Sequence, residues 1–199
     1  RTTKNRIRCT QVARSKIMNH PETIIRTLDG HLLRPTRLIL YGRAAIALGF
    51  NNAPACSFST LDVDAILPAV EIARIDADEQ FWNALEKTND QLRPSGLYVT
   101  HLFMDTQVLI GRAWLDDLQE IHLPNLKHLS VFRPSTEDLI LTKMMRVDPQ
   151  DRSDIEFLTK DCGLTQARFD QIAGNAMIPD IPEIRDAFCS NSDWLRTKL

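Results

Sequence analysis

Ser59-Thr60-Leu61-Asp62-Val63-Asp64-Ala65-Ile66-Leu67 is the stretch that decides the fold of this chain. Its aspartates alternate with apolar residues, a pattern typical of a β-strand, and alternation sends Asp62 and Asp64 to the same face. Their Cα atoms are then about 6.6 Å apart, so the two carboxylates repel each other unless they share divalent cations. A solvent-facing strand with an acidic side gives the same pattern. The neighbouring sequence must therefore decide between the two interpretations.

A strand, a glycine and a helix precede this stretch. Residues 37–41 have the pattern of a buried strand, Gly42 ends it, and residues 43–48 form a short helix. A helix N-terminus presents unpaired N–H groups, and a glycine there lets a phosphate approach the backbone. Such turns also need glycine for conformational reasons alone. If Gly42 lies on a strand next to Asp62 and Asp64, amides that cradle phosphate face a carboxylate pair that binds metal.

The remaining elements alternate up to residue 134 and are helical beyond it. A capping box at Asp76 and Glu79 predicts a helix through Leu92, and Ser135 with Asp138 predicts the start of another. The helix that follows Ser135 is expected at 139–146, and further helices at 21–33, 151–160, 165–173 and 182–195. Strands are expected at 97–103, 121–123 and 129–132, and a segment at 107–110 is expected to form a hairpin with 97–103.

Composition limits the class of protein. The chain has 199 residues, 43% hydrophobic and 25% charged, which is typical of one compact globular unit. No apolar run is long enough to cross a bilayer, and no apolar signal-peptide core is present, so we expect a cytoplasmic protein without membrane contact. The four cysteines are scattered and include no Cys-x-x-Cys pair, which argues against a disulfide framework and a structural zinc site.

Charge is distributed unevenly along the chain, although the net charge is only −2. Six of the 24 basic residues precede Glu22, the first acidic residue, and leave 18 basic against 26 acidic residues in the remainder. We expect a basic N-terminal arm at 1–20, an α/β core at 21–134 and a helical region at 135–199 that packs on the core. The arm binds nucleic acid or an acidic partner, or is a solvated terminus. The acidic body argues against nucleic-acid binding as the main function.

Three motifs stand at a spacing that is more specific than any one of them. They are Tyr41-Gly42-Arg43-Ala-Ala-Ile-Ala-Leu48, Ser59-Thr60-Leu61-Asp62-Val63-Asp64, and residues 138–146 followed by 151–155. Together they resemble the nucleotidyltransferase fold of the DNA polymerase beta superfamily. More narrowly, the chain is similar to small bacterial nucleotidyltransferase-like proteins, several of which belong to toxin–antitoxin or phage-defence systems. The resemblance implies an α+β fold with a mixed sheet flanked by helices, a nucleotidyltransferase-like core and a C-terminal helical part.

The same resemblance implies roles for individual residues. Asp62 and Asp64 are implied to bind Mg²⁺ or Mn²⁺, and the substrate is implied to be a nucleoside triphosphate such as ATP. Lys143 and Arg146 share a helix face and are placed to reach its phosphates. Alternatively, Asp148, Asp151 and Asp154 neutralise these two cations. The candidate nucleotide-binding and phosphate-binding residues are Gly42, Arg43, Thr60, Lys143 and Arg146.

The resemblance also implies a third carboxylate on a following strand. The strand at 97–103 offers His101 at its centre and Asp105 just beyond its end, and we select Asp105 as the third catalytic residue beside Asp62 and Asp64. Arg43 stands where the superfamily usually has Gly or Ser, so it either binds phosphate directly or blocks the backbone cradle. Phe58 stands where relatives commonly have a basic residue. If neither His101 nor Asp105 serves, the protein is a pseudoenzyme.

The leading hypothesis is a metal-dependent nucleotidyltransferase that transfers a nucleotidyl group to a hydroxyl of a protein, a tRNA or a small molecule. The alternative is a weak or inactive binding module, a toxin–antitoxin component that recognises a protein or RNA partner. Nucleotide-sugar glycosyltransferases and haloacid-dehalogenase-like phosphatases also use an Asp-x-Asp motif. The phosphatase fits poorly, because its motif lies on the first strand and is followed by a hydroxyl or β-branched residue where this chain has Ala65.

Overall fold

The computed structural model describes residues 19–199, so the predicted basic arm at 1–20 lies almost entirely outside the described residues. The chain forms a five-stranded mixed sheet flanked by helices, with a second sheet of two short strands. This α+β architecture confirms the fold class expected from the sequence. In chain order the elements are α1 (His20–His31), β1 (Thr36–Tyr41), α2 (Gly42–Gly49), β2 (Asp62–Leu67), α3 (Ile72–Asp76), α4 (Glu79–Leu92), β3 (Tyr98–Met104), β4 (Ile110–Gly111), β5 (Gln119–Glu120), β6 (Leu129–Arg133), α5 (Thr136–Lys143), α6 (Pro149–Cys162), α7 (Gln166–Gly174), β7 (Ala176–Met177) and α8 (Pro182–Arg196).

The strand order of the main sheet is β3-β2-β1-β6-β5. Strands β1 and β2 are antiparallel and place Tyr41 opposite Asp64, while β2 and β3 are parallel, as are β1 and β6. The start of β2 and the start of β3 therefore meet the end of β1 at one edge of the sheet. That edge carries the aspartate pair and the glycine turn, as the sequence predicts.

The two faces of the sheet carry different clusters of apolar side chains. Leu38, Leu40, Val63 and Ala65 belong to the main core, which packs against α1, α2 and α4. The other face carries a smaller cluster of Ile39, Ile66, Val108, Ile110 and Trp114. Because side chains alternate along a strand, Asp62 and Asp64 lie on the same face as Ile66. The aspartates are thus on the side of the smaller cluster.

In the C-terminal half the predicted cap at Ser135 is confirmed, but α5 ends at Lys143 rather than Arg146, and α6 begins at Pro149 rather than Asp151. Ser135 caps α5 by accepting a hydrogen bond from the backbone N–H of Asp138. Asp148 caps α6 ahead of Pro149, and Gly163 ends α6 in the left-handed conformation. Apolar residues of this half, among them Leu139, Ile155, Leu158 and Leu195, belong to the main core. The domain boundary at residue 134 stays a prediction.

Three further local predictions are wrong. The segment at 107–110 does not form a hairpin with β3. Its last residue begins β4, which pairs with β7. The prediction failed because β3 already pairs with β2 and a short apolar run can be buried against either partner. The cap of α4 is Asp78 and not Asp76, which ends the separate helix α3. The strand expected at 121–123 lies at Gln119–Glu120. None of the helices between residues 19 and 199 has the length and hydrophobicity that a membrane span requires.

Candidate active site

Asp62 and Asp64 lie at the start of β2, on one face of the sheet and partly exposed. Asp62 Oδ1 accepts a hydrogen bond of 2.7 Å from the hydroxyl of Thr60. Asp64 Oδ1 accepts one of 2.9 Å from the hydroxyl of Thr100 and lies 3.0 Å from His101 Nδ1. Within residues 19–199, the second oxygen of each carboxylate has no hydrogen-bond partner. Both carboxylates therefore keep one oxygen for a ligand.

A β-bulge brings two residues of β3 to Asp64. The register pairs Val63 with Val99 and then Ala65 with Leu102, so two residues of β3 oppose a single residue of β2. Thr100 and His101 are those two residues, and both contact Asp64. Sequence analysis considered His101 but missed Thr100, because nothing in the residue pattern marks the bulge.

Gly42 forms the turn between β1 and α2, next to Asp64. Its φ of 68° lies in the left-handed region that favours glycine, and a Cβ at this position would stand 3.4 Å from Asp64 Oδ2. No side chain caps the N-terminus of α2 in the described part of the chain, and the first turn contains no acidic residue. The first N–H groups of α2 are therefore open to an anion next to Asp64.

A cavity of about 400 Å³ lies between the aspartates and the C-terminal end of α5. We call the side formed by Asp62, Asp64, Thr60 and His101 the carboxylate wall, and the side formed by Arg43, Lys143 and Arg146 the cation wall. All predicted site residues except Asp105 line this cavity. The lining consists of Tyr41, Gly42, Arg43, Thr60, Asp62, Asp64, His101, Phe103, Thr142, Lys143, Met145, Arg146, Gln150 and Asp151.

The cation wall is held by two buried carboxylates of α6. Lys143 Nζ lies 3.0 Å from Asp151 Oδ1 and 2.7 Å from Asp154 Oδ2, and only 7% of its side chain is exposed. Both interpretations of Lys143 thus keep support, since it faces the cavity and is neutralised by aspartates. The other expected neutralising residue, Asp148, caps α6 with its carboxylate, and its charge also helps to raise the pKa of Arg146.

The two arginines of the cation wall differ in exposure. Arg43 is mostly buried, with Nε 3.5 Å from Asp154 Oδ2 and Nη2 donating to Cys56 Sγ at 3.0 Å. Arg146 is ion-paired to Asp151, yet 70% of its side chain is exposed. Three cations thus share Asp151 and Asp154, and the charge of Asp148 also acts on Arg146. Arg146 is the exposed member of the cation wall, so a phosphate can reach it.

The pKa of Asp151 reports the strength of these contacts. Burial alone would raise the pKa of this carboxyl group, but the hydrogen bonds and charges of Arg146 and Lys143 outweigh burial and hold it below its ordinary value. The hydrogen bond that Arg146 donates to Asp151 in turn raises the pKa of Arg146. Asp151 is therefore an anion in the folded protein, and Arg146 stays charged.

Aromatic rings extend the carboxylate wall along β3. The rings of His101 and Phe103 are stacked, with centroids 5.2 Å apart, and Tyr41 meets Phe103 edge to face at 6.3 Å. Burial raises the pKa of Tyr41, and the charge of Asp64 raises it further, so the phenol stays protonated. Sequence analysis did not select Tyr41, although its place directly before Gly42 at the end of β1 is the signal that could have found it.

Asp105 does not approach the aspartate pair. It follows β3, whose last residue, Met104, pairs with Leu67 at the far end of β2. A strand of this length puts that end about 17 Å from Asp62. The Asp105 carboxylate accepts a hydrogen bond of 3.2 Å from the backbone N–H of Ala69. This placement corrects the expectation that Asp105 lies beside the pair, because a parallel strand carries its C-terminal end away from the start of its neighbour.

The residues present fit an ion that needs few protein ligands. No group of three or more His, Cys, Asp or Glu residues placed to hold a metal occurs in residues 19–199. Mg²⁺ is usually held by one or two carboxylates, with water and substrate phosphates as its other ligands. Asp62 and Asp64, each with one oxygen free and the anion-binding turn at Gly42 beside them, suit that requirement.

Comparison with protein families found one match. Residues 18–164, which make up 147 of the 199 residues, match a family described as a nucleotidyltransferase of unknown function (DUF6036). The match includes the glycine turn, both aspartates and the whole cation wall. Searches of curated proteins and of solved structures each found no match.

Proposed function

Because the chain belongs to this nucleotidyltransferase family, we propose that it binds a nucleoside triphosphate with Mg²⁺ or Mn²⁺ and transfers the nucleotidyl group to a hydroxyl acceptor. The observation that carries the proposal is at the N-terminus of α2, where a Cβ added at Gly42 would lie 3.4 Å from Asp64 Oδ2. This helix N-terminus can bind an anion and the carboxylate beside it can bind a cation, and a metal–triphosphate satisfies both.

Each wall of the cavity has a part in this proposal. Asp62 and Asp64 hold the metal, with Thr60 and Thr100 fixing their carboxylates through hydrogen bonds. The open N–H groups of α2 bind the phosphates, and Arg146 adds a charged, exposed donor. When bound, the metal ion neutralises charge on the phosphate oxygens and lowers the pKa of a coordinated hydroxyl. The charge of Arg146, the exposed cation of this wall, favours the departing pyrophosphate.

A second candidate function follows from the residues next to Asp64. His101 occupies the place where a third carboxylate is expected, and Arg43 stands at a position that relatives fill with Gly or Ser. Both departures favour a catalytically inactive nucleotidyltransferase fold that recognises a protein or RNA partner, of the toxin–antitoxin type. If a specific partner co-purifies with the protein equally well before and after Asp62→Ala, this second function is supported over catalysis.

Calorimetric titration with ATP, GTP, CTP and UTP in the presence of Mg²⁺ tests the leading proposal. We expect at least one nucleotide to bind. We expect Asp64→Ala to weaken its affinity by at least about tenfold, because that loss is typical even of residues that only orient a metal ligand. Asp105→Ala is the matched control, because it removes a carboxylate at the other end of β2 and leaves affinity unchanged. If the wild-type protein binds none of the four nucleotides, the proposal is wrong.

A radiolabelled nucleotide shows whether the protein transfers a nucleotidyl group or only binds the nucleotide. ATP labelled at the α-phosphate is expected to mark an acceptor in an extract of the source cells, whereas ATP labelled at the γ-phosphate is not, since pyrophosphate leaves. Labelling from the γ-phosphate would contradict nucleotidyl transfer and indicate phosphoryl transfer.

A further inference from the structure

The side chain of Asn191, on α8, is fully buried and makes three hydrogen bonds near the cavity. Its Nδ2 donates to the backbone carbonyls of Met144 and Arg146, at 3.2 and 3.0 Å. Its Oδ1 accepts from Nε of Arg152 at 3.1 Å. Arginine has only donors and a backbone carbonyl only accepts, so this set of partners allows a single orientation of the amide.

The two carbonyls belong to the loop that carries Arg146, one member of the cation wall. Met144 caps the C-terminus of α5, where backbone carbonyls lack partners within the helix. The loop from residue 144 to residue 146 begins directly after Lys143, and the side chains of Met145 and Arg146 line the cavity. Asn191 therefore bonds to both ends of the segment from which Arg146 projects.

Arg152, on α6, holds the amide oxygen of Asn191 while the amide nitrogen holds the loop, and we call this set of contacts the Asn191 clamp. Its guanidinium lies over the ring of Trp194, also on α8, at 4.8 Å from the ring centre. The amide of Asn191 is thereby held between α6 and the loop after α5. The C-terminal helix thus contacts the cation wall through Asn191, although it lies beyond residue 164, where the family match ends.

We propose that Asn191 is a positioning residue of the nucleotide site, which holds the backbone of residues 144–146 so that Arg146 points at the triphosphate. This inference rests on the proposed function. Arg146 has an exposed side chain that is ion-paired to Asp151, so its direction depends on its backbone and on Asp151 rather than on close packing. A displacement of about 1 Å is enough to weaken an oriented charged contact strongly.

Docking of α8 does not depend on Asn191. The helix buries Ile184, Ala187 and Leu195, and Leu195 belongs to the main core. Apolar burial of this kind is the usual source of stability for a helix on a protein surface. An Asn191 variant is therefore expected to keep α8 in place and to change the loop after α5.

Inorganic tripolyphosphate with Mg²⁺ is the probe for the cation wall, and Mn²⁺ alone, followed by electron paramagnetic resonance, is the probe for the carboxylate wall. We expect Asn191→Ala to raise the Kd of tripolyphosphate about tenfold, the loss typical of residues that orient a binding group. The Kd of Mn²⁺ is expected to stay the same. Asn89→Ala is the matched control, since Asn89 also bridges backbone N–H and C=O groups, those of Val99, but carries no part of the cation wall.

A double variant shows whether Asn191 acts through Arg146. In an Arg146→Ala background, Asn191→Ala is expected to cause no further loss of tripolyphosphate affinity, because the group it positions is gone. If Asn191→Ala is too unstable to fold, Asn191→Asp carries the test, since it keeps the acceptor for Arg152 and removes the donor to both carbonyls.

The outcomes separate this inference from the proposed function. Unchanged tripolyphosphate affinity in the folded Asn191 variant, measured well below its Tm, overturns the inference while the proposed function stands. Equal losses for Mn²⁺ and tripolyphosphate also overturn it, because they indicate general structural damage. If the wild-type protein binds neither probe, the proposed function itself fails.

Discussion

The two walls of the cavity differ in how far their charged groups are paired within the protein. The carboxylate wall comes from one strand and its neighbour, is partly exposed, and leaves an oxygen of each aspartate without a partner in the described chain. The cation wall is drawn from α2 and from the end of α5, and α6 supplies aspartates that pair with its members. The first is open to a ligand, whereas in the second Arg43 and Lys143 are mostly buried and Arg146 alone of the three is exposed. We expect changes at the buried members of the cation wall to affect stability, and changes in the carboxylate wall or at Arg146 to affect binding.

Lys143→Met gives the largest expected loss of stability. It leaves Asp151 and Asp154 buried, each 2% exposed, without the cation that lies between them. Breaking a buried ion pair from one side costs about 3–5 kcal/mol. Denaturant unfolding measures the change, and Lys160→Met, on a more exposed part of α6, is the control. A loss below about 1 kcal/mol would indicate that the cation wall is no more structural than an exposed ion pair.

Acid is expected to weaken the cation wall before the rest of the site. Because the pKa of Asp151 is lower in the folded protein than its ordinary value of 3.8, its contribution to stability is fully present above that value. The contribution is lost as the pH falls through the folded-state pKa. Asp151→Asn is expected to flatten the fall in Tm as the pH drops below 3.8. An unchanged slope would mean that other carboxylates account for acid unfolding.

Gly42→Ala tests the point at which the two walls approach each other. The left-handed conformation of this residue costs an alanine about 1–2 kcal/mol. The added methyl group also lies 3.4 Å from Asp64 Oδ2, beside the N-terminus of α2. We expect a modest fall in Tm together with a clear loss of nucleotide affinity. Gly96→Ala is the control for strain, because Gly96 has a similar φ of 66° and nothing within 4 Å of the added Cβ.

Asp62→Asn has the smallest expected effect on stability. The side chain keeps an acceptor for Thr60 and loses a charge that repels Asp64, so the free energy of unfolding should change by less than about 0.5 kcal/mol. Metal and nucleotide binding should nevertheless fall. Thermal unfolding with and without Mg²⁺–ATP measures both effects. A large loss of stability in the absence of ligand would contradict the difference between the walls.

Much of the carboxylate wall was predictable from the sequence. Alternation along a strand fixes the face of Asp62 and Asp64, and a glycine between a strand and a helix predicts the turn at Gly42, which lies on the neighbouring strand as expected. The bulge that brings Thr100 and His101 to Asp64 was not predictable, because it depends on how two strands distant in sequence align. The misplacement of Asp105 has the same origin, since it required the direction and register of β3.

The sequence by itself determined most of the periodic elements, the cap at Ser135 and the aspartate pair, because these depend on backbone preferences and on neighbours a few residues away. Tertiary structure alone decided which charges meet. Lys143 and Arg146 lie within a few residues of several aspartates in the sequence. Only the packing of α5 on α6 shows that Lys143 is buried between Asp151 and Asp154 while Arg146 stays exposed. The Asn191 clamp on residues 144–146 likewise spans 45 to 47 positions. Burial and partner geometry set the strength of such contacts, and both arise only when distant parts of the chain pack together.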